Sequence, residues 1–308
     1  MLVACSGGAD SLAVAAATAF TVREHGPFAL RAGAVLIDHG LQPDSAQVTA
    51  RAAAQCRELG LDPVLTRRVD VGRDGGPESA ARDARYAALA EVAAETGAVA
   101  VLLGHTRDDQ AEGVLLGLAR GSGARSLAGM TSVRGLWRRP LLDLPRADTE
   151  AACAAQGITP WHDPTNTPGP QDDGPLRSRV RTRVLPVLER ELGPGVSAAL
   201  ARTADALRED ADALDALADD MCLGAVTEHD GEVLVDIAGL DGVPAALRRR
   251  VLRRAALLAG APAAALTRAH LLAVDALLTD WHGQGPVHLP GRVAVGRGYG
   301  SLFLRGDR

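Results

Sequence analysis

The chain has 308 residues, with 33 Lys+Arg against 38 Asp+Glu and a formal net charge of −5. All 33 basic residues are arginine, because the sequence contains no lysine. That excludes a Walker A P-loop, a protein-kinase strand lysine and any Schiff-base or lysine-nucleophile mechanism, while the acidic balance argues against indiscriminate nucleic-acid binding but leaves local patches open.

At about 150 residues per domain the length suits two domains. A composition of 47% hydrophobic and 23% charged residues can bury a sizeable soluble core. Cys5, Cys56, Cys153 and Cys222 form no CxxC pair and no zinc-type spacing, so neither a disulfide framework nor an iron–sulfur site is expected. The start, MLVACSGG, has no basic segment followed by a long apolar one, and no apolar run is long enough to span a bilayer. The expectation is a cytoplasmic protein with no membrane partner.

Short apolar runs alternate with Ala-rich helical stretches, the pattern of a parallel α/β sheet. Strands are expected at Leu2–Cys5, Ala34–Ile37, Pro63–Val71 and Ala98–Leu103. Helices are expected from Ala9 to Arg23, from Pro43 to Leu59, over Glu78–Glu95, and from Asp108 onward. Arg139–Leu142 is read as an edge strand, Arg146–Gln156 as a short helix, and residues 167–175 as loop. From Val196 to Met221 apolar residues recur in steps of three and four, which predicts one long amphipathic helix with an acidic outer face. A last unit follows, with a strand at Glu232–Asp236, helices at Pro244–Ala259 and Thr267–Asp280, and glycine-punctuated strands. The chain thus divides into a catalytic domain over 1–193, a linker helix over 194–222 and a small α+β domain over 223–308.

Chemistry concentrates at the expected carboxyl ends of the strands, where ligands of open α/β sheets bind. Ser6-Gly7-Gly8-Ala9-Asp10-Ser11 follows the first strand and opens the first helix. Its glycines allow close backbone approach, and the free N–H groups of a helix start hold phosphate. Ser6 and Ser11 offer hydroxyls, and Asp10 can hold the Mg2+ that accompanies pyrophosphate. A plain Gly-rich turn with an N-cap is the alternative. The second strand ends in Asp38-His39-Gly40-Leu41, which a capped turn would equally explain. The fourth ends in Gly104-His105-Thr106, followed by Arg107-Asp108-Asp109-Gln110-Ala111-Glu112. Capping accounts for one acidic residue there, but not for Asp108, Asp109 and Glu112 together beside His105. A metal or a cationic amine is the sharper reading.

The hexapeptide SGGADS resembles the PP-loop of the ATP pyrophosphatases, which split ATP between its α and β phosphates without an enzyme lysine. SGGADS, DHGL, GHTRDDQAE, RGSGARSLAGM, RRPLL, WHDPTN and LRSRVR, in this order over residues 2–190, closely resemble the tRNA(Ile)-lysidine synthase family. The long helix and small last unit resemble that family's linker and first C-terminal domain. The resemblance implies a Rossmann-like PP-loop fold of the adenine nucleotide alpha hydrolase type. It implies an ATP-dependent ligase that joins free L-lysine to C2 of cytidine 34 in the CAU anticodon of tRNA(Ile), through an adenylated cytidine. It further implies ATP at Ser6–Ser11, with Asp10 on Mg2+, and Asp38, His105, Asp108, Asp109 and Glu112 as catalytic residues. A monomer or homodimer is expected. Another PP-loop enzyme that adenylates a different tRNA position or forms an amide, and an inactive nucleotide- or RNA-binding protein, are the rival readings.

The chain departs from the family pattern at Gly113, where Thr is usual, at Ser178, where Asn is common, and in the Pro/Gly/Asp loop at 167–175. Family members usually carry a short lead before the first strand. Arginines gather in three places. Arg177, Arg179, Arg181 and Arg183 alternate in LRSRVRTR and are expected to start a helix; Arg120 and Arg125 flank RGSGAR. Both groups are candidates for tRNA phosphate contact, with Arg82 and Arg85 reaching toward the same cleft. For Arg248, Arg249, Arg250, Arg253 and Arg254, internal ion pairs compete evenly with an RNA role.

Overall fold

The computed structural model describes residues 1–26, 30–40, 44–72, 77–164, 174–229 and 231–306, without the side chains of 77–79. Leu41, Pro43, the end of WHDPTN from Thr165 and most of the 167–175 loop lie outside the described residues. The chain forms two compact units, Met1–Leu207 and Arg208–Arg308.

Unit 1 is built on β1 (Leu2–Ala4), α1 (Ala9–His25), β2 (Gly33–Asp38), α2 (Ser45–Glu58), β3 (Val64–Arg68), α3 (Pro77–Thr96), β4 (Val101–Leu103) and α4 (Arg107–Ala119). A short α5 (Ala124–Leu127) leads to a hairpin of β5 (Val133–Arg134) and β6 (Trp137–Arg138). The sheet order is β3-β2-β1-β4-β6-β5, parallel except for the β5 edge. The chain moves outward from β1 through β2 to β3, then crosses to β4 on the other side. The switch point therefore lies between β1 and β4, and a ligand crevice opens beyond their carboxyl ends. Leu2, Val3, Val35, Leu36 and Val101 are buried on a sheet covered on both faces, which explains the continuous apolar runs.

The expected edge strand at Arg139–Leu142 is not one; the edge is the hairpin at Val133–Arg138. Pro140 has no N–H for a ladder, and Arg139 is buried, its guanidinium turned inward to Thr131 O at 2.9 Å. Next come α6 (Arg146–Ala155), α7 (Leu176–Arg179), a π-helical turn (Val180–Val184) and α8 (Leu185–Leu192). LRSRVRTR is thus helical, and its widened turn ends just before Pro186, which cannot donate to an α-ladder. Val180 and Leu185 pack with Ala111 of α4, which sets the arginines of this segment against the acidic helix. α4 runs unbroken through Gly113.

The expected amphipathic helix is α9 (Val196–Ala225), 30 residues that run from unit 1 into unit 2. Unit 2 continues with β7 (Val226–His229), β8 (Glu232–Asp236), α10 (Ala245–Leu258), α11 (Arg268–Thr279), β9 (Val287–Leu289), β10 (Val293–Gly298) and β11 (Ser301–Gly306). The order β7-β8-β11-β10-β9 is antiparallel throughout. Val251, Leu252, Val274 and Leu277 of the helices bury against Val233, Val235, Val295, Leu302 and Leu304 of the sheet. Among the described residues, no helix is long and apolar enough to cross a membrane.

Candidate active site

A cavity of about 660 Å3 opens at the switch point, within the range of small-molecule sites. Ser6, Gly8, Ala9, Asp10 and Ser11 form one wall. Gly7 stands behind them with a positive φ of 84°, and a Cβ on it would lie 3.1 Å from that of Ala52. Its carbonyl accepts from Trp161 N at 2.8 Å, and Trp161, His162 and Asp163 join the lining of the cavity. Ser11 Oγ accepts from Ser6 N at 3.1 Å and donates to Gly8 O at 2.9 Å. Gly8 is the N-cap of α1 and brings no side-chain acceptor. The first-turn amides therefore have neither intrahelical nor capping partners, which is the requirement of an anion site.

β2 brings Asp38 and His39 to the same cavity. The Gly40 N–H donates to Asp38 Oδ1 at 2.9 Å and, against the effect of burial, holds this carboxyl below its usual range. His39 Nδ1 and Arg85 Nε, both on cavity-lining residues, are buried without a partner among the described residues. Buried polar groups are normally paired, so these two atoms are open to a group that enters the cavity. Arg82 instead lies over the Tyr86 ring, 5.2 Å from its centre, and does not line the cavity.

Gly104 follows β4 so close to α1 that a Cβ would fall 2.8 Å from the Asp10 backbone. This approach sets His105 beside the phosphate loop. Burial pushes the His105 pKa down to about 4, against the pull of Asp109 and with the help of Arg139, Arg85 and Arg82. Its Nδ1 accepts from Arg139 Nε at 3.2 Å, so the ring is neutral with its proton on Nε2.

The three acidic residues of α4 separate in space. Asp109, 7% exposed, lines the cavity, and its Oδ2 accepts from Thr106 N at 2.8 Å. Burial works against its charge, but Arg146, the Thr106 amide, His105 and Arg181 hold its pKa below the usual carboxylate value. Glu112 is 0% exposed and lies behind the wall, paired with Arg181 Nε at 2.6 Å, Arg177 Nε at 3.5 Å and an Arg146 nitrogen at 3.5 Å. Asp108 does not line the cavity: its Oδ2 accepts from Arg146 N at 2.7 Å and caps α6. The expectation that all three face one cleft is thereby corrected. One helical turn spreads neighbouring side chains by about 100°, and α6 takes the Asp108 side. The cations these acids meet are guanidinium groups; among the described residues no group of three or more His, Cys, Asp or Glu side chains is arranged to hold a metal ion.

Arg177 and Arg181 line the cavity, one helical turn apart, while Arg179 is half-buried and does not. Arg120 is exposed at the far end of α4, roughly 16 Å along its axis from Asp109 at 1.5 Å per residue, and Arg125 is exposed on α5. Neither lines the cavity. Arg248 and Arg249 share Asp275, Arg250 pairs with Asp215 and Arg254 with Asp219, while Arg253 donates to Leu266 O, so internal pairing accounts for the α10 cluster. The acidic face of α9 is correspondingly not only an outer one.

Arg146 is the residue that sequence reasoning passed over. Its Nε lies 3.1 Å from Asp10 Oδ2 and a terminal nitrogen lies 3.2 Å from Asp109 Oδ1. Burial opposes its charge, yet Asp109, Asp10 and Glu112 raise its pKa above the usual arginine value. The available signal was Pro145, which marks a helix start at the carboxyl edge of the sheet.

Residues 1–188 match the family model described as a PP-loop domain, and residues 236–303 the one described as a TilS substrate binding domain. A tRNA(Ile)-lysidine synthase of Thermobifida fusca is 54% identical over 307 residues, covering 100% of this chain and 92% of the relative. Proteins of the same name are 53% identical in Streptomyces coelicolor, covering 99% of this chain and 85% of the relative, and 53% identical in Leifsonia xyli, covering 98% and 88%. Among solved structures, the U34-tRNA thiolase NcsA from Methanococcus maripaludis is similar with a TM-score of 0.56 at 20% identity. That likeness covers 68% of this chain and 71% of the thiolase, and it bears on the fold alone. On its length, its two matched domains and its identity to these relatives, the chain belongs to the tRNA(Ile)-lysidine synthase family.

Proposed function

We propose that this chain joins the ε-amine of free L-lysine to C2 of cytidine 34 in a CAU-anticodon isoleucine tRNA, with ATP converted to AMP and pyrophosphate. The observation that carries this reading is one cavity walled by both the Ser6–Ser11 loop and Asp109. An adenylating loop and an anion suited to an amine thus face the same volume.

In this reading the triphosphate lies on the first-turn amides of α1, with Ser6 and Ser11 on its oxygens. The cytosine O2 attacks the α-phosphorus and pyrophosphate leaves. The lysine amine then attacks C2, AMP leaves with its electron pair, and the amine's protons pass to solvent or a cavity group. A carboxylate held as low as Asp109 serves better to bind and orient the incoming ammonium than to deprotonate it. Neutral His105 offers Nε2–H beside it. Asp38 and His39, one strand away from the phosphate loop, are assigned to the nucleoside. Catalysis is then mainly positioning and charge stabilisation.

Asp10 is the assigned Mg2+ ligand. A single carboxylate beside phosphate oxygens and water is a donor set that Mg2+ accepts, and Asp10 lines the cavity at the phosphate loop. When bound, the ion would neutralise charge on the departing pyrophosphate. Glu112, which does not touch the cavity, is reassigned from catalysis to anchoring Arg177 and Arg181. Those two arginines are assigned to phosphate at the cavity mouth; Arg179, Arg120 and Arg125 remain candidates for tRNA phosphates farther out. The wobble base must leave its stack to enter the cavity, at modest cost in a loop. The work would take place in the cytoplasm.

The two half-reactions can be separated. With ATP labelled on the α-phosphate and no lysine, label is expected on the isoleucine tRNA; adding lysine should release it as AMP. Label that never becomes bound to tRNA would overturn the adenylation step. A PP-loop enzyme acting on another acceptor is disfavoured by the shared name of relatives spanning nearly the whole chain.

A further inference from the structure

Asp10 and Asp109 belong to different helices, α1 and α4, and reach the cavity from different strands. Two carboxylates converging on one buried volume repel each other, so their separation needs a cation between them. Arg146 fills that place, with Nε on Asp10 at 3.1 Å and its two terminal nitrogens on Asp109 at 3.2 Å and Glu112 at 3.5 Å. A guanidinium is planar and carries its donors in a fixed fork, so three carboxylates bound to it acquire a fixed mutual geometry. An ammonium, as a point charge on a flexible stem, imposes no such geometry.

Arg146 is itself held. Its backbone N–H donates to Asp108 at 2.7 Å, and Thr149 Oγ1, one turn on, donates to the other oxygen of Asp10 at 2.5 Å. Farther along α6, Cys153 Sγ donates to Ala9 O at 3.5 Å and is fully packed against α1. The first turn of α6 thus clamps the start of α1 on one side and the start of α4 on the other.

We infer that Arg146 is a positioning residue that sets the distance between the phosphate-side carboxylate of Asp10 and the amine-side carboxylate of Asp109, with Asp108 and Thr149 locking it in place. The inference rests on the reading of the two carboxylates given above. Its consequence is specific: Arg146 governs the rate at which a bound amine reaches the adenylated base, because a misplacement of about 1 Å costs on the order of a hundredfold.

The test is a single-turnover measurement of lysine attack on tRNA adenylated in advance, with the full chain and wild type in parallel. Arg146→Ala should slow the attack about a hundredfold with a smaller change in the lysine KM. Guanidinium chloride at tens of millimolar should restore at least a tenth of the lost rate in a saturable way, and methylammonium should not. Arg146→Lys, which keeps the charge but not the fork, should remain at least tenfold slow. If Arg146→Ala fails to fold, Arg146→Lys together with Thr149→Val, expected to be several-fold slow, decides the matter. A wild-type rate in Arg146→Lys, or a folded Arg146→Ala that guanidinium does not rescue, overturns the inference while leaving the function intact. A wild-type protein that transfers no lysine overturns the function itself, and the inference falls with it.

Discussion

In unit 2, the arginines of α10 are matched along helix faces: Arg248 and Arg249 to Asp275 on α11, Arg250 and Arg254 to Asp215 and Asp219 on α9. In unit 1, Arg146, Arg177 and Arg181 converge on Asp109 and Glu112, with Arg146 also on Asp10. Glu112 is fully buried behind the arginines, which stand at the wall of a cavity. The first arrangement glues helices together. The second leaves guanidinium groups facing a volume that a substrate can enter, kept charged and fixed by an acid that never meets it. Asp275 is buried as well, so the presence of a cavity, more than burial of the acid or the density of charge in the sequence, separates a structural cluster from a functional one.

The widest gap between the two regions should appear with Asp109→Asn. Lysine transfer should fall roughly a hundred- to a thousandfold, while pyrophosphate release with tRNA and ATP persists; unimpaired transfer in a steady-state assay removes Asp109 from the site. Breaking a buried pair from one side costs about 3–5 kcal/mol. Glu112→Gln and Asp275→Asn should therefore both lower the urea midpoint, but only Glu112→Gln should also lower activity. Equal activity loss in both would erase the distinction.

Acid separates the units by different groups. His105 has its folded pKa pushed from 6.5 to about 4, so the unfolded chain binds its proton first. Its contribution to stability is complete above pH 6.5 and is lost as the pH falls toward 4. Asp275 has a lowered pKa, because Arg248 and Arg249 overcome its burial, so its contribution is complete above the ordinary Asp value and is lost only below about pH 4. Imidazole NMR should show a histidine that stays neutral through pH 5 and whose signal His105→Asn abolishes. The smallest effect is expected from Arg250→Ala, a part-exposed pair worth about 0–1 kcal/mol; any loss of lysine transfer there would contradict a purely structural α10 cluster.

Strand and helix order at the core of unit 1 was legible because each buried strand is a short apolar run and α1, α2 and α4 start behind Gly8, Asp44 and Thr106. The phosphate loop was legible for the same reason: SGGADS sits where a strand ends. The edge hairpin was not, since its two-residue strands are too short to show a period, and neither was β7, three of whose four residues are exposed. Asp108 and Asp109 cannot be told apart by spacing, because the choice of which one faces the cavity belongs to α6. Arg146 was invisible in the role it plays, its contact with Asp10 spanning 136 positions of sequence. The arginine runs were visible, but their partners, and hence their meaning, were not.

The central claim is that this chain attaches lysine to one particular tRNA. Incubation with labelled L-lysine, ATP and either a CAU-anticodon isoleucine tRNA or elongator methionine tRNA tests it most directly. The account predicts incorporation into the isoleucine tRNA, one AMP formed per lysine attached, and none into the methionine tRNA. Absence of label from the isoleucine tRNA, with ATP binding intact, would contradict it.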